Sequence, residues 1–201
     1  MIKENRAFME MLKVARQWLL DKEPLEIAKK TGIAYDEENT CFYLQSMGTE
    51  ICIHYPDYKI EPFINEWHQL VILHYMNLAD GTDLTKKWMS MGEMKNGLVR
   101  GGDFDLRCEN VISERLSQIS SDEFLEKCQK IGGTVIDSNA DITVQFDFLP
   151  YYPVLFKLWL ADEEFKASGK LLVDTSADHY LTIEDSVTVG QVIIEALVGV
   201  F

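Results

Sequence analysis

Residues 141–174, DITVQFDFLPYYPVLFKLWLADEEFKASGKLLVD, decide the fold. Ile142, Val144, Phe146 and Phe148 alternate with Thr143, Gln145 and Asp147, the period of two that marks a strand with one face in a core. VLFKLWLA and KLLVD follow at short spacing, so the stretch reads as a three-stranded antiparallel meander. A sheet with one apolar face needs a covering layer. The segment PFINEWHQLVILHYMNLA, residues 62–79, is too apolar for a surface helix and is expected to be the central buried helix that supplies this cover.

Working outward, Phe8, Leu12, Ala15, Trp18 and Leu19 recur at helical spacing and predict an amphipathic helix over residues 3–20. A shorter helix should run from Pro24 to Lys30 and stop at Gly32. CFYLQSM and EICIHY flank Gly48 as a β-hairpin. LTKKWMSMGEMKNG is polar and Gly-bounded, a short strand and loop. Helices are expected at 105–118 and 121–131, the second opened by the capping pattern Ser120-x-x-Glu123 and closed by Gly132 and Gly133. Thr182 with Asp185 offers a second capping pattern, ahead of a last amphipathic helix carrying Val189, Val192, Ile193, Ala196 and Leu197. Neither an internal repeat nor a linker interrupts the chain, and the expected class is a single α+β domain over 1–201.

Composition restricts the partners. Nineteen Lys and Arg stand against 33 Asp and Glu, a formal charge of -14, and such a surface repels phosphate backbones and anionic bilayers. Nucleic acid and membranes are therefore not expected partners. The first thirty residues carry charges throughout and contain no apolar run of signal-peptide or membrane-span length, so a cytoplasmic location is expected. Cys41, Cys52, Cys108 and Cys128 form no C-x-x-C pair of the kind used by zinc knuckles, iron–sulfur clusters or redox motifs, and read as reduced, mostly buried thiols.

The densest polar cluster is LWLADEEFKASGKLLVDTSADHYLTIED, residues 158–185. Asp162, Glu163 and Glu164 follow one strand and Asp174 ends the next, and antiparallel pairing can bring the two ends into one region, with His179 beside it. Clustered carboxylates bind hard cations or raise one another's pKa for acid–base work. The favoured expectation is structural, as turn and helix-end residues: Asp162 to Lys166 as a solvated turn, Asp174 in an Asx turn beside Ser176, Glu184 and Asp185 at a helix N-terminus. Trp88 and Trp159 are candidates to wall a small-molecule pocket, or are core packing. His68 and His74, six residues apart on one helix, lie on different faces and make no metal pair. His54, alternating with Tyr55 along a strand, carries little functional meaning. No P-loop, G-x-S-x-G or strand-following G-x-G-x-x-G is present, and VRGGDFD reads as a two-glycine turn with an arginine.

The order of these segments resembles a family of uncharacterised proteins found chiefly in anaerobic bacteria and archaea, a domain of unknown function. The likeness rests on Trp88 and Gly97; on Pro150 and Pro153; on Trp159 with Asp162, Glu164 and Phe165; and on Asp174, Ser176, Ala177, Tyr180, Leu181, Glu184 and Asp185. Met91-Gly92 stands where the family pattern has Phe-Arg. Some members are fused to an iron–sulfur segment like those of corrinoid proteins, which implies a setting in anaerobic one-carbon or redox cofactor metabolism. This chain lacks that cysteine segment.

Two classes of function follow. One is a binding or accessory protein taking a small-molecule ligand or a protein partner, with Trp88, Trp159, Asp162, Glu164, Asp174 and His179 as candidate ligand-binding residues, no catalytic residue and no metal ligand assigned, and the cofactor unknown. The other is a metal-assisted hydrolase or lyase using Asp162, Glu164, Asp174 and His179.

Overall fold

The computed structural model describes residues 6–116 and 119–199, and the class is α+β: six α-helices and two antiparallel sheets among the described residues. The first helix, α1, spans Arg6–Gln17 and buries Phe8, Leu12 and Ala15. Its expected start at residue 3 lies outside the described residues, and Trp18 to Leu20 leave it as a turn. Helix α2 (Pro24–Thr31) opens on its proline and stops where Gly32 turns left-handed, φ 70°, a conformation glycine adopts without steric cost.

The expected hairpin is the centre of a larger sheet. β1 (Ala34–Asp36), β2 (Cys41–Ser46), β3 (Thr49–His54) and β4 (Lys59–Glu61) form a four-stranded meander in sequence order. Met47 and Gly48 both take positive φ, the mirror-image two-residue turn whose twist matches a right-twisted hairpin. The flanking β1 and β4 are too short for their alternation to register in the sequence.

Helix α3 (Glu66–Leu78) is buried along most of its length, and the Asn65 side chain caps it by accepting from Trp67 N and His68 N. After β5 (Trp88–Met89) and a 3-10 turn at Met91–Glu93 comes α4 (Gly97–Arg115), then α5 (Ser121–Lys130) and β6 (Gly133–Val135). The expected end of the helix over 105–118 falls on Ser117 and Gln118, outside the described residues. Its start moves to Gly97, so VRGGDFD is helix and not a turn. The reason is packing: a Cβ on Gly97 or Gly101 would sit 2.2 or 2.1 Å from the Met91 carbonyl oxygen. These glycines let α4 lie against the 3-10 turn, and close approach, not chain reversal, is what they provide.

The meander is present as expected, extended at both edges. β7 (Ile142–Leu149), β8 (Tyr152–Trp159) and β9 (Ser168–Asp174) are the middle of a sheet ordered β5-β9-β8-β7-β6. Val144, Phe146 and Phe148 are buried; each aromatic removed from water contributes on the order of 2 kcal/mol by area. The cover differs in detail from a single helix. Phe156 meets Phe124 of α5 at 5.3 Å, and α4 packs along β9. Helix α3 reaches this sheet at one corner, where His68 lies 4.6 Å from Phe148. The last helix, α6 (Ile183–Val198), packs on α3 and α4. Buried apolar residues from Phe8 to Leu197 join in one core. Among the described residues, no helix is long and apolar enough to cross a membrane.

Candidate functional site

The start of α6 is fixed by its own sequence. Thr182 Oγ1 accepts from Asp185 N at 3.3 Å and donates to Asp185 Oδ2 at 2.7 Å, while Thr182 N donates to the same carboxylate oxygen. This capping box satisfies helix-end N–H groups. It leaves Asp185 Oδ1 free, and His74 of α3 takes it through Nδ1 at 2.6 Å. Asp185 is buried. Burial pushes its carboxyl pKa up, and the hydrogen bonds from His74 and Thr182 outweigh that and hold it below the ordinary value.

Trp18, just past α1, places its ring 5.6 Å from the His74 imidazole and is 51% exposed. Together with Asp21, Leu78, Glu184 and Asp185, Trp18 and His74 line a cleft of about 610 Å³. Arg100 Nε donates to Glu184 Oε2 at the rim, 2.9 Å away. A histidine held by an anchored carboxylate keeps a defined orientation and presents its second nitrogen on the opposite side. A smaller groove of about 270 Å³, with Lys95, Asp178 and His179, adjoins the cleft at Leu78 and Thr182.

The six residues singled out in the sequence do not converge. Asp174 is buried and accepts five hydrogen bonds, from Thr85 N and Oγ1, Lys86 N, and Ser176 N and Oγ. It ties the loop before β5 to the end of β9. Trp88 is its neighbour across the ladder. His179 Nδ1 meets Asp80 Oδ2 at 2.7 Å, a bond that pulls the Asp80 carboxyl down to about 2. Asp162 lies at the other end of the sheet, its Oδ1 accepting from Glu164 N and Phe165 N in a turn. Asp162 and Glu164 share a shallow pocket with Ser113 and Phe165, and Trp159, half-buried opposite Ser168, is not one of its walls.

The expected common region therefore divides. In an antiparallel pair the end of one strand lies beside the start of the next, so Asp162 sits near Ser168. Asp174 is a full strand away, about 20 Å at 3.3 Å per residue.

Residues 23–196 match the model of a family described as a domain of unknown function, DUF3786. The chain belongs to this family. The matched span includes His74, Thr182 and Asp185 and leaves Trp18 outside it. Comparison with curated proteins and with solved structures returned no match.

The first sheet holds a further cluster. Cys41 faces His54 across the β2–β3 ladder, Cys52 precedes His54 by two residues on the same face, and Glu61 of β4 faces Cys52. Cys41 Sγ lies 3.2 Å from His54 Nδ1, Cys52 Sγ 3.8 Å from His54 Nε2, and Glu61 Oε2 3.3 Å from that same nitrogen. Burial, then the Cys41 hydrogen bond, pushes the Cys52 thiol up to about 12. No cysteine spacing along the chain marks this arrangement, because strand register creates it. The signal was in the hairpin: counting back from the turn pair Ser46 and Thr49 puts Cys41 opposite His54.

Proposed function

We propose that this protein is a binding module for a small organic cation, which occupies the cleft between Trp18 and the His74–Asp185 pair. One observation carries the reading: Asp185, anchored by the α6 capping box, holds the His74 imidazole beside an indole left half open to solvent. A rigid apolar wall with a few placed polar groups is the composition of a small-molecule site. Asp21, Glu184 and Asp185 bring carboxylates to it, and an indole face attracts cations. Its described lining holds no serine or cysteine, and the Thr182 hydroxyl is committed to Asp185. That supports binding over nucleophilic chemistry. A hydrolase or lyase built on Asp162, Glu164, Asp174 and His179 gains no support from residues spread over both ends of a sheet.

The test is a ¹H–¹⁵N NMR titration with tetramethylammonium and butylammonium, using neutral tert-butanol as the size control and Trp18→Phe to assign the indole signal. The Trp18 indole resonance should move saturably with the two cations, and Trp18→Ala should weaken binding roughly tenfold, as loss of a partly desolvated cation–π contact implies. Shifts confined to other residues, or equal response to tert-butanol, would overturn the reading.

A further inference from the structure

From the cluster on the first sheet we infer a second site: Cys41, Cys52 and His54 form a binding site for a thiophilic metal ion, zinc(II) in the first place. One ligand atom from each residue lies within 4.8 Å of the other two, and among the described residues no other group of three His, Cys, Asp or Glu side chains does so. Bond lengths of about 2.3 Å to sulfur and 2.0 Å to nitrogen at tetrahedral angles place ligand atoms roughly 3.5 to 3.8 Å apart. The two sulfurs meet different ring nitrogens, Cys41 Sγ at 3.2 Å from Nδ1 and Cys52 Sγ at 3.8 Å from Nε2, so the imidazole turns one nitrogen toward both sulfurs when the ion binds, a side-chain adjustment from ligand atoms already within 4.8 Å of one another.

The donor set selects the metal. Two thiolates and an imidazole are soft and borderline ligands that favour zinc(II) or copper(I) over magnesium or calcium. Glu61, whose Oε2 lies 3.3 Å from His54 Nε2, serves either as the fourth ligand or as the carboxylate that orients the histidine, the usual partner of a metal-bound imidazole. Lys59 Nζ, 2.6 Å from Glu61 Oε1, fixes that carboxylate. Binding displaces the thiol protons, as it does in thiolate sites generally.

The backbone is prepared for the ion. Three of the four side chains come from the β2–β3 hairpin, whose register is set by its two-residue turn, and the fourth from the adjacent β4. Cys41 is buried, whereas Cys52 and His54 are partly open, so the ion has an entry path from solvent. Cys108 and Cys128 are buried elsewhere, in α4 and α5, and serve as internal controls.

The experiment uses the full chain, reduced, stripped with a chelator, and titrated with zinc(II) by calorimetry and cobalt(II) by absorption spectroscopy. One equivalent should bind, with the d–d bands of tetrahedral cobalt and a thiolate charge-transfer band, and zinc should protect two thiols from a thiol reagent. The half-open positions carry the mutational arm, since Cys41→Ser alters the core: Cys52→Ser and His54→Ala should each weaken binding at least a hundredfold with an unchanged far-UV circular dichroism spectrum. Cys108→Ser and Trp18→Ala should leave it intact. Absence of binding by the reduced protein, an octahedral cobalt spectrum, or affinity that survives Cys52→Ser and His54→Ala would overturn the site. So would a Cys41–Cys52 disulfide as the sole reaction of the two thiols.

Discussion

His74 and Asp185 are 111 residues apart in the chain and 2.6 Å apart in space. This bond adds a polar tie to the packing of α6 on α3, and the two oxygens of one carboxylate divide the work. Oδ2 completes the cap of α6 and Oδ1 sets the imidazole. A carboxylate that satisfies a helix end at the N-terminal pole of the macrodipole is already favoured there. The histidine adds a second reason for it to remain ionised.

Asp185→Asn should therefore destabilise the fold by about 1 to 3 kcal/mol, the range for losing charge-assisted hydrogen bonds at a buried site. The pH dependence has a definite sign. A carboxyl whose folded pKa is depressed contributes stability above its unfolded value, near 3.9, and loses it as pH falls through the lower folded value. Denaturant midpoints measured from pH 6 to pH 2 should fall more steeply in the wild-type protein than in Asp185→Asn. Parallel curves would show that the His74 bond carries no net ionic stabilisation.

Asp174→Asn tests a structural role within the acidic stretch. The carboxylate accepts from Lys86 N at one oxygen and from Thr85 and Ser176 at the other. An amide nitrogen replaces one acceptor and leaves buried donors unpaired, at a cost of about 2 to 3 kcal/mol. The melting temperature should drop while tetramethylammonium binding at Trp18 stays the same. An unchanged melting temperature would mean that water replaces the lost acceptor.

The alternation of Ile142, Val144, Phe146 and Phe148 and the capping pattern at Thr182 and Asp185 are local features, and a local reading of the sequence recovers them. The partner of Asp185 is not local. That Oδ1 meets His74 depends on how α3 and α6 cross, which no spacing within either segment encodes. The acidic stretch divides for a related reason: strand pairing sets Asp162 beside the start of β9, and the antiparallel strand then carries Asp174 away from it. Cys41, Cys52 and His54 lie between these cases, because the hairpin that joins them was visible while its register had to be counted through the turn.

Glycines in α4 show the same limit and yield a paired test. Gly101 and Gly102 look alike in VRGGDFD, yet a Cβ on Gly101 would lie 2.1 Å from the Met91 oxygen, whereas one on Gly102 meets nothing within 4 Å. Gly101→Ala must push the 3-10 turn off α4 and should cost at least about 3 kcal/mol, in the range of severe overpacking. Gly102→Ala should stabilise by roughly 0.5 to 1 kcal/mol through helix propensity. Equal effects of the two, read by urea denaturation, would contradict the close contact.

His68 sets the last prediction. It is buried at the corner between the two sheets, 4% exposed, its ring tilted against Phe148 with centroids 4.6 Å apart and its Nε2 2.8 Å from Ser46 Oγ. The Ser46 hydroxyl donates to the Phe148 carbonyl at 2.6 Å, so its oxygen accepts from the imidazole and Nε2 carries the proton. Burial pushes the pKa down to about 4 from 6.5. Between those values the unfolded chain binds a proton that the folded chain refuses. Stability must rise with pH across the window from about 4 to 6.5, and the integrated gain is about 3 kcal/mol at 1.36 kcal/mol per unit. His68→Gln keeps a donor for Ser46 and removes the titration, so its unfolding free energy should be flatter across that window after allowance for the carboxylates common to both proteins. Matching slopes in urea titrations at pH 4.5, 5.5 and 6.5 would place the His68 proton in the folded state and refute the neutral assignment.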